Sequence, residues 1–151
     1  MIIPMRTDWM PKRDSMRKKD KDTLLIIDDD VEWTDALRIF FSESYEVCVA
    51  NSSADAIELI RAKSPKAIIL DLVMPSLDGF GLVFRMNEMS LNGIPIVLIT
   101  GWNNPEIEEC AASVGCSAVF SKPVSLPELK TVVASLTRPE ASKKREATQQ
   151  Q

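Results

Sequence analysis

The chain has no histidine, only three cysteines and no long apolar run. Each absence removes a class of function. Without imidazole there is no Cys/His zinc centre, and Cys48, Cys110 and Cys116 are odd in number and match no zinc-ligand spacing. Reduced structural thiols are the expected state. The longest apolar runs, "AIIL" at 67–70 and "IPIVLI" at 94–99, fall far short of the roughly 20 residues a bilayer span requires. The N-terminal "MIIPMRTDWMPKR" offers a three-residue apolar start broken by Pro4, which is no secretory core. No membrane association is expected, and the expected location is cytoplasmic.

What is present fits one globular domain, since 151 residues at 45% hydrophobic and 26% charged content supply a sizeable core and a solvated surface. Charge marks its limits. Residues 1–22 carry seven Lys/Arg against four Asp/Glu, residues 138–151 carry four against two, and residues 23–137 carry seven against sixteen. The ends lack periodic apolar residues and finish in "ATQQQ", so a flexible basic arm (1–22) and a flexible polar tail (138–151) are expected around an acidic domain at 23–137. An anionic partner for the arm is one reading, and a solvated tail is the simpler one.

Within the domain, short β-type runs alternate with helical patterns five times over. The predicted strands are Thr23–Asp28, Tyr45–Ala50, Ala67–Asp71, Ile94–Thr100 and Ala118–Ser121. Predicted helices lie at Val31–Phe41, Ala54–Ala62, Phe80–Met89, Pro105–Val114 and Leu126–Leu136, with Ser53 and Ser125 as N-caps, Pro65 beyond the second and Gly115 past the fourth. Strands one, three and four are apolar on both faces, the mark of a parallel sheet covered on both sides. The fold class is therefore α/β, a doubly wound five-stranded parallel sheet. In such sheets ligands bind at the carboxyl ends of the strands.

Those ends carry a distinctive set. Strand one runs into Asp28, Asp29 and Asp30, strand three ends in Asp71, strand four in Thr100, and strand five runs into Lys122-Pro123. A unit like-charge pair about 4 Å apart repels by about 4 kcal/mol at an effective dielectric near 20, so the carboxylates need a cation among them. Oxygen donors without His or Cys select a hard ion, and Mg²⁺ fits. Taken singly, each residue has an ordinary structural role: Asp30 as a helix cap, Thr100 as a strand end, Lys122 as a surface lysine before proline. Their joint placement at four strand ends favours a site.

The runs "LLIIDDD", "IILDLVMPSLDG", "LITG" and "FSKP" resemble, in order and spacing, the motifs of response-regulator receiver domains of two-component phosphorelays. The resemblance spans about residues 23–137 and implies the (βα)5 flavodoxin-like receiver fold. It implies Asp71 as phosphoacceptor, with Asp28 and Asp29 binding Mg²⁺ directly or through water and the main-chain carbonyl of Val73 as a further ligand. It also implies Thr100 bonding a phosphoryl oxygen, Lys122 pairing with phosphate, and a cis peptide at Lys122–Pro123. Pro75 and Asp78-Gly79 are expected to turn the following loop away from the strand tip, with Asp78 capping the next helix.

Two rivals from other classes are weaker. An aspartate-nucleophile phosphatase or phosphotransferase needs a second acid two residues after its nucleophile, where this chain has Val73. A flavin carrier needs a Ser/Thr/Gly-rich phosphate loop where this chain has "DDDVEW". A receiver-like scaffold that binds partners without phosphorylation is the third alternative, though acceptor, acid and lysine positions are all kept. With no histidine, the chain must take phosphate from a sensor histidine kinase, a histidine phosphotransfer protein or a small donor. About fifteen residues after Leu136 leave no room for a DNA-binding output domain, so a stand-alone receiver that acts by binding an unidentified target protein is expected. Receivers usually carry an aromatic three residues before the lysine, and here that place is Val119, with Phe120 facing the other side of its strand. Trp102 and Val73 stand where polar side chains of receivers help orient the attacking water; neither can do so by a strong hydrogen bond and the indole covers the phosphoryl group, so slow hydrolysis is expected.

Overall fold

The computed structural model of the chain describes residues 21–74, 77–102 and 104–138, excepting the side chains of 73, 74, 77 and 78. Most of the expected arm and tail, 1–20 and 139–151, and Pro75 of the expected turn lie outside the described residues, as does the side chain of Asp78 as a cap. The elements are β1 (Thr23–Ile27), α1 (Val31–Phe41), β2 (Glu46–Ala50), α2 (Ser53–Lys63), β3 (Ala67–Asp71), β4 (Val73–Met74), β5 (Leu77–Asp78), α3 (Gly79–Glu88), β6 (Ile96–Thr100), α4 (Pro105–Ser113), β7 (Ala118–Ser121) and α5 (Leu126–Thr137). The five longer strands form one parallel sheet in the order β2-β1-β3-β6-β7. The chain is a five-stranded doubly wound α/β domain, as the alternating pattern predicts.

Because strand side chains alternate between faces, the strands feed two cores. Leu25, Ile27, Ile68, Leu70, Ile96 and Leu98 pack with α2, α3 and α4 on one face. Leu24, Ile26, Ala67, Ile69, Val97 and Ile99 pack with α1 and α5 on the other. The three central strands are buried along nearly their whole length, which is why they read as continuous apolar runs.

Helix boundaries follow local chemistry. Asp30 caps α1 by accepting the Trp33 N–H at 3.2 Å, and Thr34, Leu37 and Phe41 form its buried stripe. The cap of α2 is Ser52, not Ser53: with extended backbone, its Oγ accepts the Asp55 N–H at 3.2 Å. Adjacent serines are equal in sequence, and backbone conformation decides between them. Ser64 closes α2 in the left-handed region, and Pro65 cannot continue it. Ser125 caps α5 as expected.

Three differences stand out. β6 begins at Ile96 and not at Ile94, since Pro95 has no N–H to give a ladder and contributes its carbonyl to the Ile68 N–H instead. A two-residue antiparallel hairpin, β4 with β5, occupies the stretch expected as a plain turn. The last two residues of the expected arm are tied to the domain: Lys21 Nζ donates to the Ser42 carbonyl at 3.0 Å, and Asp22 O accepts the Glu46 N–H at 2.9 Å.

Candidate functional site

Parallel strands point the same way, so the ends of β1, β3, β6 and β7 meet along one edge of the sheet. Asp71, the last residue of β3, is 5% exposed. Lys122, just past β7, sends its ammonium to Asp71 Oδ2 at 3.0 Å. β7 and β3 are separated by β6, about two strand spacings of ~4.8 Å, and a long flexible side chain is what crosses that gap. The backbone sets the start of this reach, because the Lys122 N–H donates to the Thr100 carbonyl at 2.8 Å. The Lys122–Pro123 peptide is cis, as expected.

Asp28, just past β1, is 2% exposed and lies against Asp71. Its Oδ1 accepts the Asp30 N–H at 3.0 Å. Burial pushes its carboxyl up to about 7, and the charge of Asp71 and a hydrogen bond to it push the same way, while the Asp30 amide and the Lys122 ammonium oppose them. Lys122 is held above its ordinary value: burial works against its charge, but the hydrogen bond to Asp71 and the nearby Asp71, Asp28 and Asp30 carboxylates prevail. Asp71 therefore pairs directly with the ammonium at the sheet edge, and Asp28 feels its charge from beside Asp71.

Thr100 is 1% exposed at the tip of β6, and its Oγ1 accepts the Trp102 N–H at 3.0 Å. The structure thus brings Asp28, Asp71 and Lys122 into direct contact and puts Thr100 beside them on the neighbouring strand. Asp29 is half-buried at the bend after β1 but does not join them in one cluster: among the described residues no three acidic or thiol groups gather closely enough to hold an ion by themselves. Val73 opens β4, one intervening residue beyond the end of β3, and only its backbone is described. Asp30 is exposed and engaged as the α1 cap.

The donor set suits Mg²⁺, which keeps most of its water and binds through one or two carboxylates rather than a full protein cage. The Asp28–Asp71 contact supplies two acidic oxygen donors, and burial, with the Asp71 charge adding to it, raises the Asp28 carboxyl, the condition a hard cation relieves.

Two supporting residues escaped the sequence reading. Asn51, at the tip of β2, donates from Nδ2 to the Asp28 carbonyl at 2.7 Å and fixes the acidic loop from the adjacent strand. Its position is the signal that could have found it, since Asn51 comes directly after the last residue of β2 just as Asp28 comes directly after β1. Gly79 opens α3 against the chain just beyond Asp71, where a Cβ would stand 3.0 Å from both the Cα and carbonyl oxygen of Leu72. Any side chain there would make the Leu72 backbone or the α3 start give by a few tenths of an ångström.

Val119 and Phe120 face opposite cores, as alternation requires. Trp102 is 59% exposed. With Thr100, Val119, Ser121 and the first turn of α4 it borders a cavity of about 80 Å³.

A doubly wound parallel sheet whose acid pair and lysine meet at the carboxyl edge defines a flavodoxin-like α/β module with its site at the strand tips. The chain belongs to the response regulator receiver domain family, whose model matches residues 24–134. An uncharacterized 14.6 kDa protein encoded in the sodA1 3′ region of Leptolyngbya boryana is 31% identical over 112 residues, covering 73% of this chain and 86% of that protein. Response regulator MprA of Mycobacterium leprae is 30% identical over 116 residues, covering 76% of this chain and 50% of MprA. Other curated relatives are likewise longer, and the chain spans half of their length or less. Among solved structures, the signal receiver domain of a DNA-binding response regulator from Colwellia psychrerythraea superposes with a TM-score of 0.71 at 26% identity, covering 77% of this chain and 98% of that one. Receiver domains of this family are signalling modules of two-component systems. No helix among the described residues is long and apolar enough to cross a membrane.

Proposed function

We propose that the chain accepts a phosphoryl group on Asp71 from the phosphohistidine of a sensor kinase or phosphotransfer protein, in the cytoplasm, and that occupancy of Asp71 governs binding to a target protein. The observation that carries this reading is the 3.0 Å Lys122–Asp71 ion pair with Asp28 packed against it. A buried carboxylate held at a strand tip by a mobile ammonium is a positioned nucleophile with its charge compensation already in place.

In the reaction an Asp71 oxygen attacks phosphorus as the P–N bond to the donor imidazole breaks, and the departing nitrogen takes its proton from solvent. Lys122 passes from the Asp71 oxygen to a phosphoryl oxygen, keeping one positive charge beside the group throughout. The Thr100 hydroxyl donates to a second phosphoryl oxygen. Asp28, Asp29, Asp71 and the Val73 carbonyl would hold Mg²⁺, directly or through water, and the ion when bound would neutralise charge on the phosphoryl oxygens. Asn51 holds the Asp28 backbone in register, and Gly79 lets α3 back closely onto the acceptor strand.

Incubated with acetyl phosphate and Mg²⁺, the chain should gain one acid-stable, base-labile acyl phosphate, read by intact-mass spectrometry. Asp71→Asn should gain none. Undiminished labelling of that variant would reject the assignment.

A further inference from the structure

The edge of the sheet where the strands begin carries a surface that phosphoryl transfer does not use. Asp22, Lys66 and Pro95 stand directly before β1, β3 and β6, and with the end of α2, the 90–94 loop and the end of α5 they enclose a groove of about 820 Å³. It lies a strand length from Asp71, five residues or roughly 17 Å. Part of its lining is apolar, and Leu91, Ile94 and Pro95 are only half-buried there.

Its charge is of the opposite sign to the rest of the domain. Arg61, Lys66 and Arg138 line the groove, all exposed, against the single acid Asp22, whereas residues 23–137 carry seven Lys/Arg against sixteen Asp/Glu. Among the described residues none of these three cationic side chains has an ion-pair or hydrogen-bond partner, and the one ion pair is Lys122–Asp71 at the far edge. Arg61 has an ordinary duty in the last turn of α2, where a cation complements the carbonyl end, but Lys66 lies outside any helix. The backbone N–H groups of Asn92, Gly93 and Ile94, which also line the groove, make no hydrogen bond among the described residues.

Positive charge and free donors around aliphatic surface call for a ligand that joins carboxylates to aliphatic side chains. The chain's own extensions are not that ligand. They attach beside the groove, through Asp22 and Arg138, and are net positive: residues 1–20 carry six Lys/Arg against three Asp/Glu, and residues 139–151 carry three against two. A nucleic acid fits less well, since no aromatic ring lines the groove to stack a base. A flat bilayer does not enter a concave site.

We propose that this groove docks an acidic segment of a partner protein, one that carries aliphatic side chains among its carboxylates. Arg61, Lys66 and Arg138 steer the segment in, the 92–94 amides take its carboxylates or carbonyls, and its aliphatic side chains cover Leu91, Ile94 and Pro95. Docking there leaves Asp71 accessible, and the site does not depend on Asp71 being the acceptor. The rim pairs are solvent-exposed, so binding is modest and salt-sensitive.

The test titrates the full chain against a fluorescein-labelled peptide of Glu-Glu-Leu repeats, read by anisotropy, with poly-glutamate, a DNA duplex and phosphatidylserine vesicles as comparators. The expected result is saturable binding of the Glu-Glu-Leu peptide, tighter than that of poly-glutamate and weakened several-fold between about 50 and 300 mM salt. Neutralising the groove with Arg61→Gln, Lys66→Gln and Arg138→Gln together should weaken it about tenfold or more. Arg38→Gln, Arg85→Gln and Lys130→Gln together remove the same charge from residues that do not line the groove, and should leave binding nearly unchanged. Circular dichroism melts check that both variants fold. Absence of binding, an unaffected groove variant, or an equal loss in the control variant overturns the site. Poly-glutamate binding as tightly as the Glu-Glu-Leu peptide overturns the aliphatic contribution, and tighter binding of the duplex or vesicles overturns the choice of a protein segment. A molar mass that rises with concentration and falls back in the groove variant makes the occupant a second copy and overturns the partner reading.

Discussion

Replacing Asp28 with Asn should stabilise the metal-free protein, and by an amount that depends on pH. The folded chain raises the Asp28 carboxyl from 3.8 to about 7. Between those values the folded state holds a proton that the unfolded state has released, so stability from this group falls as pH rises through the window and the full cost is reached above about pH 7. Each pKa unit corresponds to about 1.36 kcal/mol, which makes about 4 kcal/mol the ceiling. The pocket opens to solvent on the Lys122 side, where that side chain is 40% exposed. Screening there reduces the realised cost to roughly half, about 2 kcal/mol. Asn keeps an oxygen to accept the Asp30 N–H, now at 3.0 Å from Oδ1, and offers an amide donor toward Asp71. In chelator at about pH 8 the variant should therefore melt roughly 6–12 °C above wild type, on the scale expected for a domain of this size. At about pH 3, where Asp28 is protonated in the folded state and mostly so in the unfolded state, the gap should nearly close. Calorimetry or circular dichroism melts of both proteins at the two pH values decide the matter. Equal melting temperatures at the higher pH, or a gain of the same size at both, would refute the idea that a buried Asp28 charge strains this pocket.

The remaining predictions probe the same edge from other sides. Asp29→Ala should leave metal-free stability unchanged or slightly higher while slowing acetyl-phosphate labelling several-fold at limiting Mg²⁺; labelling at the wild-type rate would remove Asp29 from the ion's surroundings. Gly79→Ala puts a Cβ 3.0 Å from Leu72 backbone atoms, so urea denaturation should show a loss of about 1–3 kcal/mol, and an unchanged midpoint would mean that the α3 start yields freely. Lys122→Met removes the ammonium between two acids and should destabilise the metal-free chain by about 1 kcal/mol above pH 7 and by less at about pH 5, where Asp28 carries a proton. A larger loss at the lower pH would contradict that electrostatic account.

Much of the fold is legible in the sequence because its signals are redundant. β1, β3 and β6 are apolar on both faces, and Asp30 and Ser125 announce their helices by position and chemistry together. Where signals are single, they fail. Ser52 and Ser53 are equivalent caps until backbone torsions distinguish them, and the β4–β5 hairpin has two residues per strand, too short for any periodicity. The candidate site divides in the same way. Asp28, Asp71, Thr100 and Lys122 stand at recognisable strand ends, so their convergence follows from topology alone. Asn51 is silent because its contribution is one side-chain bond to a carbonyl, and the outward pose of Trp102 depends on a backbone bond no composition reveals.

The parallel run of the sheet has a practical side for anyone handling the protein. β1 starts at Thr23, and α5 ends at Thr137, whose hydroxyl lies 3.0 Å from that of Tyr45 just ahead of β2. Both are at the edge where strands begin, and Asp71 is at the edge where they finish, a strand of five residues or roughly 17 Å away. A fluorophore, affinity handle or surface tether attached at Asp22 or Arg138 therefore leaves the acidic edge open. A pair of dyes placed at Asp22 and Arg138 would report on each other and remain blind to events at Asp71. Sensors of phosphorylation need at least one probe on the far rim, on the loop after β6 or the first turn of α4.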